Sequence, residues 1–183
     1  WSVPVFFMLS GATLLTYRDR YSTAQFYRKR IRKVLVPFLV WTIFYLWWGN
    51  ATHVLPIGGA RDVYLRTIGG PAFPHLWFFY VLVGLYLVTP VLSLLATEQG
   101  KPVVYTLIAL CFVQNAVLPL SLKFFDIGVG FSIPLAAPYL GYYLLGWALK
   151  DVRPGRRSAA ALAVAAAVAV AAMVGASYVL TAR

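Results

Sequence analysis

The densest group of charged side chains lies at positions 28–33, where five of six residues are cationic. They are Arg28, Lys29, Arg30, Arg32 and Lys33. If the segment is helical, cations four residues apart form two adjacent rows along one side of the helix. Guanidinium groups match the geometry of phosphate oxygens, so these rows could bind a phosphorylated ligand. They would equally suit contact with anionic lipid headgroups, and the sequence leaves both interpretations open.

His75 stands directly before an apolar segment, whereas His53, the other histidine, sits in the loop that precedes it. A neutral imidazole near pH 7 can accept a proton from a hydroxyl group, so His75 is a candidate general base. The alternative is an interfacial histidine that hydrogen-bonds the nearby backbone. Trp77 and Tyr80 follow it, and these residue types concentrate where a protein meets the membrane surface.

Other kinds of site have no support in the sequence. No cluster of His, Cys and Asp has the spacing of metal ligands, and no Gly-rich phosphate-binding loop is present. The acidic residues all fall between apolar segments, which argues against a proton-driven pump, because such relays use Asp or Glu within a span. We therefore predict no metal site and no permanently bound cofactor. Cys111 is the single cysteine, so no internal disulfide can form.

The composition indicates which elements must position these residues. Of 183 residues, 61% are hydrophobic and 11% are charged, against about 45–50% and about 25% in soluble domains. This excludes a disordered chain, a secreted disulfide scaffold and an ordinary cytosolic enzyme. The net charge of +11 comes from cations between apolar segments, so we attribute it to membrane topology and not to nucleic-acid binding.

Six segments approach the roughly 20 apolar residues that a membrane-spanning helix needs. They are residues 2–17, 34–55, 76–96, 103–122, 131–149 and 159–180. The sequence therefore predicts an all-α, polytopic membrane helix bundle with about six spans. Between the spans, Ser22 and Gln25 fit a capping box that starts a helix at Thr23, and residues 61–68 suit a short surface helix. The last segment is rich in alanine, which is typical of a helix that packs closely.

Polar positions interrupt two of the spans. Ser10 and Gly11 do so in the first, and Gln114 and Asn115 in the fourth. Polar groups at that depth need partners. Hydrogen bonds to neighbouring helices are one interpretation, and lining a polar cavity is the other.

If successive spans alternate in direction, 12 of the 16 cations lie on one side of the membrane. Because Lys and Arg concentrate in cytoplasmic loops, we place basic loops 18–33 and 150–157 in the cytoplasm and residues 50–74 outside. The expected location is the cytoplasmic membrane.

Three segments carry a resemblance to a known family. Residues 4–11 read PVFFMLSG, residues 26–37 read FYRKRIRKVLVP, and residues 75–80 read HLWFFY, followed by GLYL at 84–87 and by Pro90. In this order and spacing they resemble the integral-membrane acyltransferase 3 family. The third segment is more similar to the branch that O-acetylates surface polysaccharides and lipid-carrier-linked sugars. These motifs cover residues 4–90, and the remainder is similar only as apolar spans.

The resemblance implies a bundle of about ten helices that acts as a membrane O-acyltransferase. It would move an acyl group, usually acetyl from the co-substrate acetyl-CoA, to a hydroxyl of an extracytoplasmic glycan or lipid-linked sugar. The resemblance also implies that the five cations of residues 28–33 bind the phosphates of CoA. The acceptor would lie near His75, with Trp77 and Tyr80 on the same side.

The family's first span usually carries an Arg and a His that are assigned to catalysis. Because the chain begins at Trp1 within an apolar segment, we expect both residues to precede it. That histidine would be a stronger candidate for the base than His75. We therefore expect residues 1–183 to form a single domain truncated at both ends, and to be inactive alone.

A non-enzymatic flippase or exporter of a polysaccharide or lipid-linked sugar is the alternative function. It would use helix kinks and polar pairs but would not need cations that bind CoA. A structural membrane scaffold would need neither. Binding or hydrolysis of acetyl-CoA by the complete protein distinguishes the enzyme from both.

The predicted orientation can be tested by cysteine labelling in a background that lacks Cys111. We expect Arg30→Cys and Gly155→Cys to be shielded from an impermeant thiol reagent added outside intact cells, and Ala60→Cys to be labelled. Labelling at position 30 and not at position 60 would reverse the orientation.

Overall fold

The protein folds as helices, and no β-strand occurs in the residues that the structure describes. The structure is a computed structural model and describes residues 2–71, 73–125, 137–153 and 155–181. Its helices are α1 (Ser2–Leu14), α2 (Thr23–Ala51), α3 (Ala60–Ile68), α4 (Trp77–Leu95), α5 (Lys101–Phe112), α6 (Leu118–Phe125), α7 (Leu140–Leu149) and α8 (Arg156–Thr181). Short 3₁₀ turns lie at Tyr17–Asp19 and Pro74–Leu76, and a π-helical turn at Val113–Val117 joins α5 to α6. The expected all-α fold is confirmed.

Within the described residues, three helical segments are long and apolar enough to cross a membrane, judged by length and composition. They are Thr23–Ala51, Pro74–Leu95 and Lys101–Leu122. The predicted count of about six spans is not confirmed. Helix α7 has only 10 residues, about 15 Å of helix, whereas the hydrocarbon core is about 30 Å thick.

The predicted fifth span, residues 131–149, is therefore longer than the helix found there. Tyr139 precedes α7 with a left-handed backbone, φ of 68°, so a regular helix cannot continue back through this residue. Residues 131–136 lie outside the described part of the chain.

Contacts group the chain into two compact units, Trp1–Lys150 and Asp151–Arg183. The second unit consists mainly of α8. The first unit contains α1 to α7 and every residue predicted to take part in chemistry. The single-domain organisation stays a prediction.

Helix α2 begins where the capping pattern predicts and leads the cationic segment directly into an apolar one. Ser22 is its N-cap, and the Ser22 hydroxyl accepts the backbone N–H of Gln25 at 3.4 Å. The helix assignment is unbroken at Pro37. Its buried residues are Phe26, Val34, Phe38, Thr42, Leu46 and Gly49. Their spacing of mostly four places them on one side of the helix.

Helices α2 and α4 run antiparallel. Ring centroids are 6.2 Å apart for Phe26 and Tyr86, and 5.6 Å apart for Phe38 and Phe79. Residues later in α2 therefore contact residues earlier in α4. Each aromatic pair at such a distance stabilises the fold by about 0.5–1.5 kcal/mol, in addition to the stabilisation from its buried surface.

Helices α1 and α7 cross so closely that their backbones touch. A Cβ atom at Gly11 would lie 1.7 Å from the carbonyl oxygen of Tyr143, and one at Gly146 would lie 1.8 Å from that of Met8. Only glycine leaves room for the facing carbonyl at both positions. Such an approach favours van der Waals contact and Cα–H···O interactions, which are worth about 0.5–1 kcal/mol each.

Helix α7 is also held by α4 and α5. The hydroxyls of Tyr143 and Thr89 share a hydrogen bond of 2.8 Å, and both side chains are fully buried. On the side of α5, a Cβ atom at Gly141 would lie 2.8 Å from Cβ of the buried Cys111. Helix α7 therefore packs against three other helices, α1, α4 and α5.

The α1–α7 crossing predicts that even one added methyl group is harmful. We expect Gly11→Ala to lower the free energy of unfolding by at least about 1–3 kcal/mol, the usual range for overpacking. Thermal unfolding of the purified protein in detergent measures this loss.

Gly84→Ala is the matched control, because a Cβ atom at Gly84 in α4 would meet nothing within 4 Å. Alanine there should leave the protein as stable or raise its stability by about 0.5–1 kcal/mol, since it replaces glycine inside a helix. Equal losses in the two variants would contradict the close crossing.

Candidate functional site

The five cations at the start of α2 do not share one environment. Four are exposed, whereas Arg30 is half-buried. The exposed four, called the exposed cation row below, are Arg28, Lys29, Arg32 and Lys33. Lys29 Nζ lies 4.3 Å from the ring centre of Tyr21, a cation–π contact that holds one ammonium group near the helix. The row gives this end of the first unit a positively charged surface.

Arg30 turns towards α4. Its guanidinium carbon lies 5.9 Å from the ring centres of both Phe26 and Tyr86. Its Nε atom is buried and has no hydrogen-bond partner. A buried donor without an acceptor costs about 1–3 kcal/mol, and more when the group is charged. The five cations predicted to bind one ligand are therefore divided between an exposed row and a single inward-facing arginine.

Arg18 has a structural role that its position in the sequence did not indicate, since it lies among the cations assigned to membrane topology. Arg18 Nε donates to Ser93 Oγ at 2.7 Å, and its Nη2 donates to the Pro90 carbonyl at 3.1 Å. These bonds tie the chain just after α1 to the last turns of α4. Ser93 is 75 residues away in the sequence, so no local pattern could have indicated the contact.

His75 lies at the opposite end of the α2–α4 pair from the exposed cation row. It is exposed, and its ring centroid is 4.5 Å from that of Tyr45 and 6.1 Å from that of Phe73. Because Tyr45 follows Arg30 by 15 residues in one helix, about 22 Å of helix axis separates the two ends. No hydrogen bond of the His75 imidazole occurs within the described part of the chain.

Trp77 and Tyr80 contact different elements from those near His75. Trp77 packs on Tyr139 beside the start of α7, with ring centroids 5.4 Å apart. The hydroxyl of Tyr80 is hydrogen-bonded to the backbone carbonyls of Thr67 and Gly70, the latter at 2.8 Å. Tyr80 thus joins the end of α3 to α4, while Trp77 faces the first turn of α7.

A cavity of about 380 Å³ lies between α1, the π-helical turn and the start of α7. It is lined by Pro4, Cys111, Phe112, Asn115, Ala116, Ala137, Pro138, Tyr139, Gly141 and Tyr142. Three aromatic residues and one amide thus face the same space, and Trp77 reaches this group through its contact with Tyr139. π-Helical turns are rare and often occur at functional sites.

Asn115 was the only sequence signal for this cavity. Its Nδ2 donates to the Cys111 carbonyl one turn earlier at 2.8 Å. Asn115 lines this cavity, and hydrogen bonding of this polar position to a neighbouring helix stays a prediction. The aromatic residues around it come from separate helices, so their assembly could not be read from spacing.

The loop before His75 is organised around Asp62. Arg66 Nε donates to one oxygen of this carboxylate at 2.8 Å, and the Gly58 N–H donates to the other at 3.3 Å. Chiefly through the hydrogen bond from Arg66, these contacts lower the pKa of Asp62 below its ordinary value. The carboxylate therefore stays ionised at neutral pH and supports α3, the surface helix predicted at residues 61–68.

The described residues contain no group of three or more His, Cys, Asp or Glu side chains that could hold a metal ion. The side chains singled out for chemistry on the described residues are the cations at one end of the α2–α4 pair. At the other end they are a histidine, aromatic rings and an amide.

Comparison with known proteins identifies the family. The family model described as "Acyltransferase domain" matches residues 1–182. No curated protein and no solved structure matches the chain. The described part of the chain includes three helices long and apolar enough to cross a membrane. The chain belongs to the acyltransferase 3 family and is a membrane acyltransferase.

Proposed function

We propose that this acyltransferase moves an acetyl group from acetyl-CoA to a hydroxyl of a glycan or lipid-linked sugar outside the cytoplasmic membrane. The observation that supports this most is the separation of the two candidate sites. The exposed cation row lies at one end of the α2–α4 pair, and His75 lies at the other. This arrangement suits an enzyme whose donor and acceptor approach from opposite sides of a membrane.

The exposed cation row is the proposed site for the phosphates of CoA. Arg28 and Arg32 are four residues apart, so their guanidinium groups project from neighbouring turns of α2. Each can form charge-assisted hydrogen bonds with phosphate oxygens, and Lys29 and Lys33 add positive charge. Because about 22 Å of helix separates this row from His75, the thioester end of CoA would extend from the row into the bundle.

The acceptor is proposed to bind at the end that carries His75 and the 380 Å³ cavity. Aromatic rings offer apolar faces to a sugar, and amide groups offer directional hydrogen bonds, as in many small-molecule sites. Tyr139 lines the cavity and contacts Trp77. Trp77 is therefore the predicted acceptor-side residue with the most direct link to this space.

The transfer step needs a base for the attacking hydroxyl. The acceptor oxygen forms a bond with the acetyl carbonyl carbon, the carbon–sulfur bond breaks, and the CoA thiolate leaves and takes up a proton. A general base removes the hydroxyl proton during the attack. His75 is the proposed base or positioning group among the residues of this chain, since it is exposed at the acceptor end and its side chain can accept a proton.

The donor site is tested by replacing Arg28 and Arg32 with alanine together in the complete protein. Each lost charge-assisted contact is worth about 1.5–3 kcal/mol, so acetyl-CoA affinity should fall by roughly 10²- to 10⁴-fold. Lysine at both positions should restore binding only in part, because an ammonium group cannot form the paired bonds of a guanidinium. Isothermal titration with acetyl-CoA in detergent measures the change.

Arg61→Ala is the control for loss of charge, because Arg61 is exposed on α3 in the loop before His75. It should leave acetyl-CoA affinity unchanged. Unchanged affinity in the double variant, together with poor membrane insertion, would show that the row is a topological anchor. Transport of a sugar without acetyl transfer would favour the carrier function instead.

His75→Ala tests the acceptor end. If His75 activates or positions the hydroxyl, acetyl transfer per folded molecule should fall by about 10²- to 10⁴-fold. Acetyl-CoA affinity should stay the same, because the proposed phosphate site lies at the other end of α2. His53→Ala, at the other exposed histidine, should leave the transfer rate unchanged.

His75→Gln separates a chemical role from a structural one. Glutamine keeps a hydrogen-bond donor and acceptor but cannot take a proton at neutral pH. Activity restored by glutamine would assign His75 a hydrogen-bonding role and would contradict its role as base.

A further inference from the structure

Helix α3 exposes three large apolar side chains, whereas its ion pair is half-buried. Tyr64, Leu65 and Ile68 are 60%, 52% and 62% exposed, and their spacing places them on one side of the helix. Asp62 and Arg66 form their ion pair on another side. A surface helix in water shows the reverse pattern, with its apolar stripe towards the protein and its charged residues outwards. The pattern therefore indicates that the exposed side of α3 faces an apolar medium.

Contacts of Tyr80 place the end of α3 beside the helices that can cross the membrane. The Tyr80 hydroxyl is hydrogen-bonded to the backbone carbonyls of Thr67 and Gly70, the latter at 2.8 Å. The ring of Tyr80 packs on that of Phe38, with centroids 5.1 Å apart. Phe38 lies inside α2 and Tyr80 inside α4, and both helices are long and apolar enough to span a membrane. The end of α3 is therefore close to the level of the bilayer.

The residue types on the exposed side of α3 match the boundary between lipid headgroups and acyl chains. Tyrosine concentrates there because its ring is apolar and its hydroxyl is polar, and Leu65 and Ile68 offer hydrocarbon surface. Arg61 is exposed one turn before Leu65. Its apolar stem can lie along this surface while its guanidinium group reaches the phosphates. Amphipathic helices of this kind lie in the membrane interface, with the apolar side about 5–10 Å deep.

We propose that α3 is an interfacial helix, whose Tyr64, Leu65 and Ile68 insert into the lipid leaflet at the His75 end of the protein. The hydroxyl of Tyr80 holds the end of the helix on the protein. Because α3 directly precedes the segment that leads to His75, its insertion fixes that segment at the membrane surface. The proposal does not depend on the identity of the acyl donor or acceptor.

Fluorescence quenching of the complete protein in phosphatidylcholine nanodiscs tests this insertion. Leu65→Cys, in a background that lacks Cys111, carries an environment-sensitive fluorophore. Glu98→Cys is the control, because the Glu98 side chain is 84% exposed and lies in the loop between α4 and α5. We expect the Leu65 probe to emit at shorter wavelength than the Glu98 probe. A phosphatidylcholine with a nitroxide near its headgroup should quench the Leu65 probe, and aqueous iodide should quench the Glu98 probe.

Two results would overturn the proposal. If iodide quenches the Leu65 probe as strongly as the Glu98 probe, the exposed side of α3 lies in water. If neither quencher reaches the Leu65 probe, another part of the protein covers this side. Should the Leu65 variant not fold, Ile68→Cys supplies a second probe on the same side, and the same outcomes decide.

Discussion

The backbone contact between α1 and α7 is the constraint on which the first unit depends. Gly11 and Gly146 each face a carbonyl oxygen of the other helix, at a distance that excludes any side chain. In a membrane the hydrophobic effect does not drive helices together, so close van der Waals contact and interhelical polar contacts supply the association energy. The crossing places α7 where Tyr143 reaches Thr89 in α4, and where Gly141 meets Cys111 in α5.

Two hydrogen-bonded contacts between separate elements stabilise the first unit. Tyr143 and Thr89 bond to each other at full burial, and Arg18 binds two groups of α4. Within the described residues, three buried side-chain atoms have no hydrogen-bond partner, namely Arg30 Nε, Thr42 Oγ1 and Trp147 Nε1.

The antiparallel pairing of α2 and α4 explains how one helix pair can serve two chemically different ends. Arg30 lies opposite Tyr86, and Tyr45 lies opposite His75. The whole of α2, Thr23–Ala51, is long and apolar enough to cross a membrane, so charge can gather near its start while aromatic groups gather near its end. The cavity near Tyr139 shares the second end through Trp77.

Local interactions were readable from the sequence, because they act between residues a few positions apart. The Ser22 cap, the course of α2 and the helix at Ala60–Ile68 follow from such short-range patterns. The family motifs likewise lie in continuous segments, and their assignment is confirmed.

Tertiary structure alone decided what Arg30 contacts, because its burial depends on Tyr86, a residue on another helix. It also decided why Gly11 must be glycine, since the obstructing carbonyl belongs to Tyr143, far along the chain. Burial and close approach arise from helices meeting in space, and no spacing within a single helix encodes which partner it meets.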